Sequence, residues 1–215
     1  MATEVIAHAS NRVPLWLKFA HIAFMIVLVP VYWYHYGPTN FLYFCDVSLF
    51  LILVGIWIDS PLLISMCAVG ILIPQIVWAL DFIANLALLP GTGMTDYMFE
   101  KQRSLFLRGL SLFHGWLPFL LLYLVWRMGY DPRALPAWTV LSCLVLPICY
   151  FLMPPSQPSP GLMPVNINFV SGFSDRAPQS FVSPRLWFLG LLIGLPILVY
   201  WPTHLLLQYF FRPAG

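Results

Sequence analysis

The sequence predicts an all-α polytopic membrane helix bundle of about six transmembrane helices, and three observations predict it. Of the 215 residues, 60% are hydrophobic and 8% charged, against about 25% charged in an ordinary soluble domain, so no water-facing surface can be assembled. Several apolar runs reach the roughly 20 residues that a helix needs to cross the hydrocarbon core. Lipid satisfies no open backbone group, so each run has to be a helix in a bundle. A single transmembrane domain over residues 1–215 accounts for the chain.

The first span is read over 16–35, with turn residues Gly37 and Pro38 after it. Its apolar run ends in bulky VYWYHY, not in a small-residue cleavage site, so it reads as an uncleaved first span. The second covers 40–58 and closes at Asp59, Ser60 and Pro61. The third, 61–89, is long enough to be kinked or tilted at Pro74, and GTGMTDYMFEKQR after it reads as an amphiphilic connection. The fourth covers 104–126, where Trp126, Arg127, Tyr130 and Arg133 form an interfacial anchor. The fifth, 136–153, leads into the Pro- and Ser-rich loop 154–185, long enough to be a lid or half of a site. The sixth is 186–210. No internal repeat supports a duplicated transporter architecture.

Composition also excludes partners. The net charge is +2 and the ten Lys and Arg are scattered, which sets nucleic acid aside. Cys45, Cys67, Cys143 and Cys149 lie inside predicted spans without a CxxC pair and read as reduced, buried small hydrophobes. With six spans both termini lie on one side. Arg12, Lys18, Arg127, Arg133 and Arg212 fall there, against Lys101, Arg103, Arg108, Arg176 and Arg185 opposite. The totals tie, and the two cations before span one, against none in the first loop, predict a cytoplasmic N-terminus.

An ionisable group within a span costs about 2.5 to 3.5 kcal/mol on insertion scales, so each one asks for a reason. Traced through the alternating spans at about 1.5 Å per residue, Asp46 lies about 9 Å and Asp81 about 12 Å from the face opposite the N-terminus. Arg108 and His114 fall about 6 and 15 Å from it, and His35, Asn166 and Asn168 belong to the same side. All seven therefore share one half of the membrane. Cys67, Gly70, Pro74, Trp78, Asp81 and Asn85 form one helical stripe, and Ser104, Arg108, Ser111, Gly115 and Pro118 another. Such stripes face other helices or a water-filled cavity. Asp81 paired with Arg108, or Asp46 with Arg108, also reads as plain helix glue. His21 and His204 lie apart and read as packing residues.

Three chemistries fit the group. Cys45 is a candidate nucleophile with His114 as base, Asp46 or Asp81 orienting the imidazole, and Asn166, Asn168 or Arg108 stabilising an oxyanion. No cofactor is required by that scheme. Alternatively His35, Asp46, Asp81 and His114 supply ligands for a metal ion that activates water, although no HExxH-type spacing supports them. The third reading is non-catalytic: a subunit of a membrane complex, or a scaffold binding a lipid or a His-ligated cofactor.

The pieces YFCD, FHG and VNINF carry a resemblance. Cys45 early in span two, His114 in span four, and Asn166 with Asn168 resemble the androgen-induced-protein family of membrane lipid hydrolases and the YwaF-like group of transmembrane acyltransferases. The chain as a whole resembles a set of bacterial six-span membrane-associated proteins. The resemblance implies a bacterial inner-membrane protein acting on the acyl groups of a membrane lipid, with Cys45, Asp46 and His114 as catalytic residues; the polar group itself adds Asp81 as a further catalytic candidate. It places Asn166 and Asn168 around the substrate, where His35 and Arg108 join them by their level in the membrane, and the non-catalytic reading adds other membrane proteins as partners.

Overall fold

Residues 13–159 and 161–214 are described in a computed structural model of the chain. The polar leader with Arg12 lies outside them. Eight helices form the spans: α1 (Leu15–Tyr36), α2 (Phe44–Trp57), α3 (Pro61–Leu86), α4 (Leu105–Ser111), α5 (Phe113–Met128), α6 (Ala134–Leu152), α7 (Pro184–Gly194) and α8 (Trp201–Phe210). α4 and α5 make one span of 24 residues, and α7 and α8 one of 27, so five stretches of 19 to 27 residues are long and apolar enough to cross a membrane. The chain is an integral membrane protein built as an all-helical bundle.

Local chemistry sets the helix ends. Ser60, Ser104 and Ser183 cap α3, α4 and α7, each side-chain oxygen accepting the N–H three residues on, and proline follows the cap at α3 and α7. Gly37 (φ +76°) and Gly129 (φ +86°) end α1 and α5 in the left-handed region that favours glycine. At Gly37 a side chain would also meet the Met163 methyl, 2.8 Å from an ideal Cβ. Pro196 and Pro202 lack the N–H that an α-helical ladder requires. Between α7 and α8 the turn widens to a π segment, Leu195–Tyr200.

α3 is the hub. Of its most apolar window 61% is buried, against 28% for α1 and 17% for the Pro184–Phe210 stretch. Trp138 of α6 is fully buried, its ring where a Cβ on Gly70 would be 1.8 Å away. Gly70 is therefore a packing residue that admits the largest core side chain.

The second span differs from its expected 40–58. Its helix is 14 residues long, about 21 Å of rise against a core of about 30 Å. Pro38–Leu42 is a 3-10 turn and Tyr43 is extended, so α2 starts late. Non-helical backbone at that depth requires cover by protein, and residues 161–183 supply it.

Contacts between elements fix the two ends of the bundle. At one end Lys18 and Asp59 form an ion pair at 3.2 Å, the Asp131 N–H donates to Ser65 Oγ at 3.0 Å, and the C-terminal tail pairs with Tyr130 at 2.8 and 2.9 Å. The other end gathers the C-terminal ends of α1 and α3, the N-terminal ends of α2 and α4, and the 161–183 loop.

Candidate functional site: the polar end beneath the 161–183 loop

The N-terminus of α2 is held by a residue 124 positions away. Asn168 Oδ1 accepts the Phe44 N–H at 3.0 Å, and its Nδ2 donates to the Leu42 carbonyl at 2.9 Å. One asparagine thus supplies the cap that Tyr43 cannot. The same amide nitrogen lies 3.5 Å from Cys149 Sγ, and the Tyr43 hydroxyl donates to the Val165 carbonyl at 3.4 Å. Asn166, Asn168 and Phe169 have φ of +50°, +57° and +61°. Asparagine tolerates that region, whereas a bulky aromatic rarely does.

Directly behind the cap lie Cys45 and Asp46. The Cys45 thiol donates to Asp46 Oδ2 at 3.9 Å, and Asn40 Nδ2 donates to the same oxygen at 3.1 Å. Asp46 is 2% exposed and its Oδ1 is buried without a hydrogen-bond partner among the described residues. Its place in the first turn of α2 sets its carboxyl group at the positive end of the helix dipole. Tyr32, whose hydroxyl meets Ser111 Oγ at 2.8 Å, lies within electrostatic reach of Asp46.

A wall of paired charges completes this end. The Arg103 guanidinium sits 5.1 Å from the ring centres of both Tyr36 and Tyr97. Glu100 is 3.6 Å from Arg103 and 3.3 Å from Arg176 of the loop. Asp175 stands beside them; burial pushes its carboxyl above the usual carboxylate range, while Asn166 and Arg103 pull it back. Arg103 Nε, the atom 3.6 Å from Glu100, is buried without a hydrogen bond among the described residues.

The remaining expected site residues are occupied elsewhere. Asp81 binds the connection after α3. Its Oδ1 accepts from the Thr92 N–H and from Thr92 Oγ1 at 2.9 Å, and its Oδ2 from the Thr95 N–H at 2.9 Å and Thr95 Oγ1 at 2.7 Å. Arg108 donates to the carbonyls of Arg103 and Glu100. No ion pair joins Arg108 to Asp81 or Asp46 among the described residues. His114 Nδ1 meets Gln75 Oε1 at 2.8 Å, and its ring stacks on Trp78 and Phe113. No hydrogen bond joins His114 to Cys45 among the described residues. His35 packs edge-on against Tyr34. Asn166 shapes the loop, donating to the Gly172 and Ser174 carbonyls and accepting from the Ser171 N–H. Of the expected residues, Cys45, Asp46 and Asn168 come together.

No family model, curated protein or solved structure matches this chain. The site therefore rests on its own geometry. Among the described residues no group of three His, Cys, Asp or Glu is placed to hold a metal ion; for the quartet His35, Asp46, Asp81 and His114, both Asp81 oxygens and His114 Nδ1 are already bonded. Sequence reasoning missed Asn40, Gln75, Tyr97 and Arg103. Arg103 counts in sequence as one more charge at a membrane face, and only its position between two tyrosine rings distinguishes it. Asn40 and Gln75 are neutral and carry no insertion penalty large enough to draw notice.

Proposed function

We propose that this membrane protein acts on a lipid acyl group at Cys45, as a hydrolase or acyltransferase, with Asp46 as the proton acceptor. The observation that carries the reading is the thiol hydrogen-bonded to the buried Asp46 carboxyl group, whose second oxygen has no partner among the described residues. Uncompensated buried polar groups are rare in folded proteins and point to a function. The base differs from the expected His114, whose ring is held by Gln75, Trp78 and Phe113.

In this scheme the Cys45 proton passes to Asp46 as Sγ bonds to the acyl carbon, and the carbonyl electron pair moves onto oxygen. Collapse breaks the ester C–O bond, and the departing alkoxide takes the proton from Asp46. Water or a lipid hydroxyl then attacks the thioester, gives its proton through Asp46 to the leaving sulfur, and releases a fatty acid or a new ester. The tyrosine-flanked Arg103 supplies positive charge for a phosphate-bearing headgroup. The cytoplasmic N-terminus and a bacterial inner membrane belong to the same proposal, resting on Arg12 ahead of α1 and Lys18 in its first turns, and on the resemblance.

Intact-mass measurement in mild detergent tests it. With a thioester-forming lipid ester, the wild type acquires one acyl mass and Cys45→Ala none. Asp46→Asn slows acylation by about 100-fold or more, the range of a lost general base. Wild-type turnover by a folded Cys45→Ala protein sinks the proposal.

A second reading is favoured by the saturation of Asp81, Arg108, Asn166 and Asn168 through internal bonds. Groups that are already satisfied hold structure together, as expected of a non-catalytic lipid-binding scaffold or complex subunit. Fixed partner subunits coeluting in mild detergent, with no acyl adduct, select it.

A further inference from the structure

We infer that residues 161–183 form a latched lid over Cys45 and Asp46, released by withdrawal of Asn168 from the N-terminus of α2. The inference rests on the proposed acyl chemistry only for its purpose; the latch itself rests on contacts. Cys45 and Asp46 follow directly on the two groups that Asn168 binds, the Leu42 carbonyl and the Phe44 N–H. With the loop in place the Cys45 thiol is half-buried, and withdrawal of Asn168 frees the turn that carries it.

The contacts divide into a latch, a clasp and a hinge. The latch is Asn168, with the Tyr43 hydroxyl on the Val165 carbonyl beside it. The clasp is the exposed Arg176–Glu100 pair at 3.3 Å, which ties the loop to the segment that carries Arg103. The hinge lies at the start of α7, where Trp187 Nε1 donates to the Phe169 carbonyl at 2.9 Å. Between latch and hinge, Asn168 and Phe169 are both held at positive φ. A bulky aromatic such as Phe169 persists in that region only where its surroundings impose it. Closing the lid therefore stores backbone strain that opening releases, a bias suited to a segment that moves. The buried side chains Val165, Ile167 and Val170 offset that strain when the lid is shut.

Thiol accessibility tests the lid without requiring any activity. In a full-length Cys143→Ser background, which removes the exposed cysteine, a membrane-impermeant maleimide is applied in detergent micelles. Labelling at Cys45 and Cys149 is then mapped by peptide mass. Asn168→Ala raises the Cys45 labelling rate by about 10-fold or more, and Arg176→Ala, at an exposed site that leaves the core intact, by several-fold. A Glu100→Cys/Arg176→Cys disulfide lowers it below the parent rate, and reduction restores it. Unchanged Cys45 labelling in Arg176→Ala and in the oxidised double variant overturns the lid, whatever the folding of Asn168→Ala. Gated labelling without any acyl adduct keeps the lid and removes the acyl chemistry.

Discussion

Among single residues, Asp131 shows how a charge at the membrane edge is used. Its Oδ1 accepts the Arg133 N–H at 3.0 Å, an Asx-type turn that leads into α6. Its Oδ2 meets Arg133 Nη2 at 2.7 Å. The Arg133 guanidinium and N–H hold the Asp131 carboxyl below the usual carboxylate range. A group whose folded value is depressed stabilises the fold above its unfolded value, about 3.9 for aspartate, and that stabilisation is lost as pH falls through the folded value. Thermal unfolding in detergent should therefore show the wild type losing Tm below about pH 4, with Asp131→Asn losing less across the same window. Parallel curves for the two proteins would count against this assignment. The candidate site was legible at this scale only in part. Cys45 and Asp46 stand out because a charge beside a thiol in an apolar run is expensive. The partnership of His114 with Gln75 was not legible, because it depends on the rotation of two helices about their axes, and nearly uniform apolar faces leave that rotation undetermined.

At the scale of elements, the third span and the connection after it form one unit. Asp81 reads in the sequence as an intramembrane charge seeking a cation, and it binds four donors from Thr92 and Thr95 instead. The amphiphilic connection hid this, because hydroxyl and N–H donors in a loop leave no periodic mark. Both carboxylate oxygens are used, so Asp81→Asn turns one side of the group from acceptor to donor, against the donors of either threonine. Thr95 is fully buried, and an unsatisfied buried donor costs about 1–3 kcal/mol. Asp81→Asn and Asp81→Ala should both lower Tm and open the segment to trypsin at Lys101, with α-helix content by circular dichroism nearly unchanged. Resistance of Lys101 equal to the wild type's would remove Asp81 as the anchor. Span positions, by contrast, were legible to within a few residues because apolar length and Ser, Pro and Gly punctuation mark them directly. The late start of α2 was not, because an apolar run looks the same whether its first turns are α-helical or a 3-10 turn followed by an extended tyrosine.

Across the whole molecule, burial is graded outward from α3, and local stability follows burial because opening a segment exposes what its neighbours covered. The α3 window is 61% buried and that of Pro184–Phe210 17%. The last stretch carries two further weaknesses. Pro196 and Pro202 remove N–H donors, and the π segment Leu195–Tyr200, which contains Pro196, replaces the regular ladder with wider turns. A tether at its far end is the tail that pairs with Tyr130, beside the hydrogen bond between the Tyr130 hydroxyl and His204 Nδ1 at 2.6 Å. Hydrogen exchange in detergent micelles should accordingly be slowest at amides of residues 64–78 and fastest, among the spans, at 190–202. Tyr130→Phe removes one tether, so exchange at 200–210 should rise several-fold while 64–78 stays protected. Uniform exchange across the spans would mean that the bundle opens only as a whole, and that the graded burial around α3 does not set the order in which its helices separate.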